Sequence, residues 1–239
     1  MKKWNCPEIR TPEFITDMLK QPHILIGGTS GAGKSVALND FLFALLQFAP
    51  SEARFLLVDP KGIELLDYAD LPHTIAHVTK PEEIDHAIQW AAGEMDARFS
   101  EMIPRREKIS HRPDVYIIID EYIDVKTQCS KETVKELVRI ASKGRASKVH
   151  IILCTQRPTS EYLDSAIKAN FSTVLALRTA STQESRNLID MNECKDLPTN
   201  GFAYYKSPTM RDPERVTIPF LPQSEILSLV QFWTAQAAA

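Results

Sequence analysis

The chain has 239 residues, 44% of them hydrophobic and 25% charged, which is enough for one sizeable core. A formal net charge of −3 excludes a general polyanion binder, so any nucleic-acid contact must come from a local patch. No apolar run approaches the roughly 18 residues of a membrane span, and the N-terminal Met-Lys-Lys-Trp-Asn-Cys-Pro lacks a signal-peptide apolar region.

Residues 1–21 read as a lead-in with room for a helix from Pro12 to Lys20. Strands are then predicted at His23–Gly27, Arg54–Asp59, Thr74–Val78, Val115–Asp120, Val149–Thr155, Ser172–Leu177 and Phe202–Tyr205. Helices fit Lys34–Phe48, Glu82–Arg106, Lys131–Ser142, Ser160–Asn170 and Thr182–Asp190. Continuous apolar strands alternating with helices predict an α/β fold: a mainly parallel sheet covered on both faces. One such domain is expected over 22–222, with 223–239 as a C-terminal helix or tail. Cys6, Cys129, Cys154 and Cys194 are scattered without a C-x-x-C, which predicts four reduced thiols in a cytosolic protein. His73 and His77 are spaced i, i+4, but Pro72 and the apolar residues between them suggest a loop entering a strand rather than a zinc site. Trp4, Trp90 and Trp233 read as packing residues.

The first predicted strand leads into Gly28-Thr29-Ser30-Gly31-Ala32-Gly33-Lys34-Ser35, which meets G-x-x-x-x-G-K-[ST] at every fixed position, and Val36 continues into a helix. Glycines there let several backbone N–H groups turn into one concavity, and the helix N-terminus adds its dipole, so the segment is expected to cradle the phosphates of ATP. Lys34 would reach the β- and γ-phosphates and the Ser35 hydroxyl would ligate Mg²⁺. The run Val115–Ile119 ends in Asp120-Glu121. Asp120, on a strand expected beside the P-loop strand, would hold Mg²⁺ or its water, leaving Glu121 as general base for an attacking water. Gln156, with Thr155 before it, follows a predicted strand and would orient that water or sense the γ-phosphate. A strand between the two nucleotide motifs and a glutamate after the Walker-B aspartate form the pattern of RecA-like, additional-strand P-loop ATPases. Ligands in such sheets bind at the carboxyl ends of the strands, where Asp59, Asp120 and Gln156 fall.

Asp59-Pro-Lys61 with Glu64-Leu65, Asp120-Glu-Tyr, Lys143-Gly-Arg145-Ala, Thr155-Gln-Arg-Pro158, Ile167-Lys168-Ala-Asn170 and Ser185-Arg186 occur in one order. This set resembles the FtsK/SpoIIIE branch of the FtsK–HerA motor ATPases, from about His23 to Tyr205. The resemblance implies a hexameric ring that uses ATP to move double-stranded DNA through a central pore. Relatives act in chromosome segregation, conjugation and phage packaging, and one branch drives type VII protein secretion. It also implies an arginine that completes the neighbouring subunit's site, with Arg145 and Arg98 favoured over Arg157. Well-known members add a membrane-anchored N-terminus, a domain before the motor and a winged helix after it, so the likeness is to a bare motor core. The stretch Asp196–Gly201 stands where the family has small residues.

Residues 126–148 hold seven Lys or Arg (126, 131, 135, 139, 143, 145, 148) against Glu132 and Glu136. Lys131, Lys135 and Arg139 fall on one helical stripe that can follow a phosphate backbone without reading bases. Lys168 and Lys61 could extend it. The alternative is a solvated helix with Glu132–Lys135 and Glu136–Arg139 pairs. Arg105, Arg106, Lys108 and Arg112 form a second basic cluster, read as a surface loop or a partner site. The reading is thus a DNA-translocating ATPase of a mobile element, plasmid or phage, with recruiting proteins as further partners. An ATPase driving protein export and a nucleotide-dependent assembly protein are the alternatives.

Overall fold

In the computed structural model, which describes residues 11–163, 165–199 and 201–238, eight strands form one sheet in the order β3-β2-β4-β5-β1-β6-β7-β8. They are β1 (His23–Gly27), β2 (Ala53–Val58), β3 (Thr74–Val78), β4 (Asp114–Ile119), β5 (Val149–Thr155), β6 (Thr173–Leu177), β7 (Phe202–Lys206) and β8 (Glu214–Thr217). The first six pair in parallel, and β7 and β8 are antiparallel additions at one edge. Every residue of β1 and β6 is buried, as expected where helices cover both faces. β8 escaped the sequence reading because Glu-Arg-Val-Thr is a polar, exposed edge strand without an apolar run.

Side chains alternate across the sheet, so Ile24 and Ile26 join one core and Leu25 the other. The first core packs α1 (Glu13–Met18), α2 (Lys34–Leu45) and α8 (Gln223–Ala238) on one face. The second packs α3 (Pro81–Arg105), α4 (Tyr122–Gln128), α5 (Lys131–Ser147), α6 (Ser165–Lys168) and α7 (Thr182–Ile189) on the other. α8 buries Ile226, Leu229 and Trp233, and the Trp233 indole N–H donates to Leu46 O at 2.9 Å, satisfying a carbonyl just past the end of α2. His73 packs between Phe55 and Trp233 and lies 2.9 Å from Phe48 O, a core placement.

Several elements differ from the sequence reading. The helix predicted over Ser160–Asn170 is only Ser165–Lys168, whereas α5 runs on past Ser142 to Ser147. Gly144 does not break α5 but lets it approach β5: a Cβ there would lie 2.1 Å from Val149 O. Asp120 does not sit on a strand beside β1, because β5 lies between β4 and β1. That interposed strand carries Thr155 to the site. Trp4 and Cys6 lie outside the described residues.

Candidate nucleotide site

β1 ends at Gly27, and Gly28 begins the loop that leads into α2. A Cβ on Gly28 would sit 2.9 Å from Leu177 Cβ and 3.0 Å from Arg178 O, so only glycine lets this turn pack on β6. Thr29 N–H donates to Arg178 O at 2.8 Å, Gly28 N–H to Thr155 O at 3.2 Å and Ala32 N–H to Thr29 O at 3.2 Å. The loop is thereby fixed to β5, to the end of β6 and to itself. Gly33 precedes the helix at φ 104°, a left-handed conformation that glycine adopts without strain. α2 has no side-chain cap and no acidic residue in its first turn, so its N-terminal N–H groups and dipole face the loop uncompensated, as an anion site requires.

Lys34 is buried, with Nζ 2.8 Å from Gly28 O and 3.0 Å from Thr29 O. Burial lowers its pKa, and the nearby Glu121 and Asp120 charges oppose that shift. Ser30, Gly31, Gly33, Lys34, Ser35 and Val36 line a cavity of about 550 Å³ that also takes in Glu64, Asp120, Gln156, Gly201, Ile218 and Phe220. Asp120 is buried and its pKa is pushed up to about 7, first by burial and then by the Glu64 and Asp59 charges. Ser35 and Asp120 therefore offer a hydroxyl and a carboxylate to one cavity, and the acid clustered there has an unmet demand for positive charge. That donor set fits Mg²⁺, which prefers oxygen ligands and keeps several waters.

Glu121 is buried and its pKa is raised by burial, against a hydrogen bond from Gln156 and the Lys34 and Lys61 charges. Its Oε1 accepts from Gln156 N–H at 3.1 Å, and its Oε2 has no hydrogen-bond partner among the described residues. One carboxylate oxygen is thus anchored to the residue that follows β5. Sequence reasoning named both residues but missed that the Gln156 backbone, not only its amide side chain, positions Glu121. It also missed Glu64, Gly201, Ile218 and Phe220 as cavity residues. Phe220, 78% exposed on the cavity wall, has no motif to announce it.

Other expected site residues fall elsewhere. Arg98 is corrected as a trans arginine. It is 2% exposed, pairs with Glu94 at 2.9 Å and donates to Ser147 O at 2.7 Å and Lys148 O at 3.2 Å. It closes the C-terminus of α5 and has almost no exposed surface to offer another chain. Arg145, in the last turn of α5, and Arg157, just after Gln156, are both exposed. The basic stripe is largely neutralised. Arg139 makes a bidentate pair with Asp96 (2.7 and 3.1 Å) and bonds Glu136 at 2.7 Å, while Lys135 pairs with Glu132 at 3.0 Å. Lys131 is exposed at the N-terminus of α5. Lys168 bonds Asp190 at 2.9 Å. Lys126 donates to Glu161 O and Tyr162 O. Lys61 acts on Lys34, Asp120 and Glu121, so it belongs to the catalytic end and not to that stripe. Among the described residues no helix is long and apolar enough to cross a membrane.

A parallel sheet with a P-loop after β1, a paired Asp-Glu after β4 and a polar Thr-Gln on the strand between them defines a RecA-like P-loop ATPase. The chain belongs to the FtsK/SpoIIIE family, whose model matches residues 6–108 and 100–160. It is 35% identical over 234 residues to a DNA translocase FtsK of Leptospira interrogans, a match covering 90% of this chain and 25% of that one. It is 33% identical over 244 residues to a DNA translocase FtsK of Lactococcus lactis, covering 93% and 32%. The chain thus spans about a quarter to a third of the length of these curated relatives. The cytoplasmic domain of the Thermomonospora curvata type VII secretion ATPase EccC is 26% identical with a TM-score of 0.74, covering 89% of this chain and 28% of that one. The pCW3 conjugation coupling protein TcpA shares the fold at 22% identity with a TM-score of 0.73, covering 88% and 64%.

Proposed function

We propose that this chain is the motor domain of a ring, most simply a hexamer, that hydrolyses ATP and drives double-stranded DNA through its pore. The setting that fits best is a mobile element, plasmid transfer or phage, acting in the cytoplasm with recruiting proteins that choose the DNA. The observation that carries the reading is the buried Glu121, one oxygen held by the N–H of Gln156, a residue that lines the P-loop cavity beside Asp120, in a chain a third identical to DNA translocases.

The residues divide the work. The N–H groups of the Gly28–Ser35 segment and the Lys34 ammonium bind the phosphates and stabilise charge on the γ-phosphoryl. Ser35 and Asp120 would hold Mg²⁺, which would supply positive charge against the charge that develops on the transferred phosphoryl group. Glu121 takes the proton from the attacking water. Gln156 ties Glu121 to β5 and presents its amide to the γ-phosphate. Arg145 of an adjoining subunit is the candidate that completes the site, and Lys131, Lys135, Arg139 and Lys168 are the candidate DNA contacts.

The neutralised stripe on α5 and the likeness to EccC favour one second reading, an ATPase that drives protein export. Steady-state hydrolysis with and without linear duplex DNA, beside Lys34→Ala and Glu121→Gln, separates the two. A several-fold rise with DNA, lost at high salt and in both variants, supports the DNA motor. Hydrolysis indifferent to DNA sinks it.

A further inference from the structure

Two rigid surface segments carry exposed aliphatic side chains ringed by charge of opposite sign. Segment 61–70 follows β2 at the carboxyl end of the sheet. Buried Asp59 pins it by accepting from Gly62 N–H and Leu65 N–H, both at 3.0 Å, and Leu65 is fully buried. Held out from that anchor are Ile63, 75% exposed, and Leu66, 59% exposed, among exposed Glu64, Asp67 and Asp70.

Segment 103–111 lies at the opposite end of the sheet, running from the last turn of α3 towards the start of β4. Buried Met102 and Ser110 anchor it, and Ser110 N–H donates to Ala146 O at 2.8 Å. Held out there are Ile103, 72% exposed, and Ile109, 50% exposed, among exposed Arg105, Arg106 and Lys108. No ion pair engages those three cations among the described residues. Among the described residues seven large apolar side chains are exposed and four of them lie in these two segments, so the pattern is not diffuse. Branched aliphatics on rigid supports leave apolar surface in water at a free-energy cost and lose little entropy when covered.

We propose that segment 61–70 of one copy docks on segment 103–111 of a second copy, a head-to-tail contact of this chain with itself. Complementary charge and matched apolar centres identify the occupant. Because the two surfaces differ and sit at opposite ends of the domain, the contact is heterologous and can repeat from copy to copy, as the subunits of a ring require. The inference rests on the ring reading and adds which surfaces make the ring. It also gives the site a trans residue. Glu64 lines the nucleotide cavity, and Arg145 occupies the α5 turn to which Ser110 is bonded, so docking brings a neighbour's Arg145 towards that cavity's rim.

The test uses Leu66→Lys and Ile103→Asp in the 239-residue chain, each placing on its segment a charge that repels the proposed partner, followed by sedimentation velocity with a non-hydrolysable ATP analogue and duplex DNA. Both residues are exposed, and unchanged circular dichroism and melting confirm folding. Each variant alone is expected to assemble only at roughly tenfold higher concentration or more. An equimolar mixture is expected to form pairs and stop there, since each variant keeps the surface the other lost. Assembly of both variants as readily as the unmodified chain overturns the interface while leaving the ring reading intact. Blocked variants that fail to pair on mixing overturn the head-to-tail geometry. An unmodified chain that stays monomeric throughout overturns the ring reading and this inference with it. If Arg105→Glu/Arg106→Glu assembles normally but loses stimulation by DNA, the basic segment is a DNA contact and the proposal falls.

Discussion

Asp40 lies on α2, in the second turn after the P-loop, 6% exposed, and its Oδ2 has no hydrogen-bond partner among the described residues. Burial pushes its pKa from 3.8 up to about 7. The fold therefore holds the Asp40 proton more tightly than the unfolded chain does. Between those two values the folded state carries the extra proton, so stability is lost as pH rises through about 7. Asn mimics the neutral acid in size and cannot ionise. Raising the pH from about 5 to about 8 should therefore destabilise the unmodified chain relative to Asp40→Asn by about 2.5 kcal/mol, at 1.36 kcal/mol for each pKa unit. At 239 residues that is a gap of roughly 5–10 °C in melting temperature opening over the same range. Urea unfolding of both proteins across that range measures it. Parallel stability–pH curves would show that Asp40 is ionised and satisfied in the fold, refuting the argument from burial.

Three further substitutions probe the site and its supports. Gly144→Ala should lower stability by about 2 kcal/mol despite a gain of about 1 in helix propensity, because the new Cβ meets a backbone oxygen that cannot swing aside; urea unfolding that shows equal or greater stability refutes it. Glu121→Gln should cut kcat by a factor on the order of 10² to 10⁴ while leaving binding of a fluorescent nucleotide within a few-fold; near-normal turnover would remove Glu121 as the base. Arg98→Met should cost about 3 kcal/mol, since it leaves Glu94 short of one partner and the Ser147 carbonyl unpaired in a buried place. A stable Arg98→Met protein that has lost only its assembly-dependent hydrolysis would return Arg98 to the role of trans arginine.

What was legible in the sequence follows from range. The P-loop, the Asp120-Glu121 pair and the strand runs are local: spacing fixes a glycine's turn or a helix's first N–H groups, and burial on both faces writes a strand as an unbroken apolar run. The parallel sheet and its ATP-binding end were therefore readable. Charge roles were not, because a basic residue's availability depends on what lies across from it. Arg139 looked like one member of a stripe, yet Asp96, on α3 and 43 positions away, takes its guanidinium. Arg98 looked like a candidate for a neighbour's site until the carbonyls ending α5 were seen to claim it. Phe220 and β8 carried no periodicity at all.

The motif segments make physical sense once β5 is in place. Lys143-Gly-Arg145-Ala and Thr155-Gln-Arg-Pro158 look separate in the chain, but one strand joins them. Val149, the first residue of β5, lies against Gly144, and Thr155, the last, accepts from the P-loop at Gly28 and hands on to Gln156, which holds Glu121. β5 is buried along six of its seven residues and paired on both sides, to β4 and to β1, so it cannot flex independently of the sheet. A close-packed strand of this kind transmits displacement rather than absorbing it. The Gly144 contact fixes where the α5 end that bears Arg145 sits relative to β5, and the opposite end of β5 fixes Glu121. The α5 end that bears Arg145 and the Glu121 carboxylate are thereby registered on one rigid element. A side chain at Gly144 would disturb that register, because its Cβ would lie 2.1 Å from Val149 O.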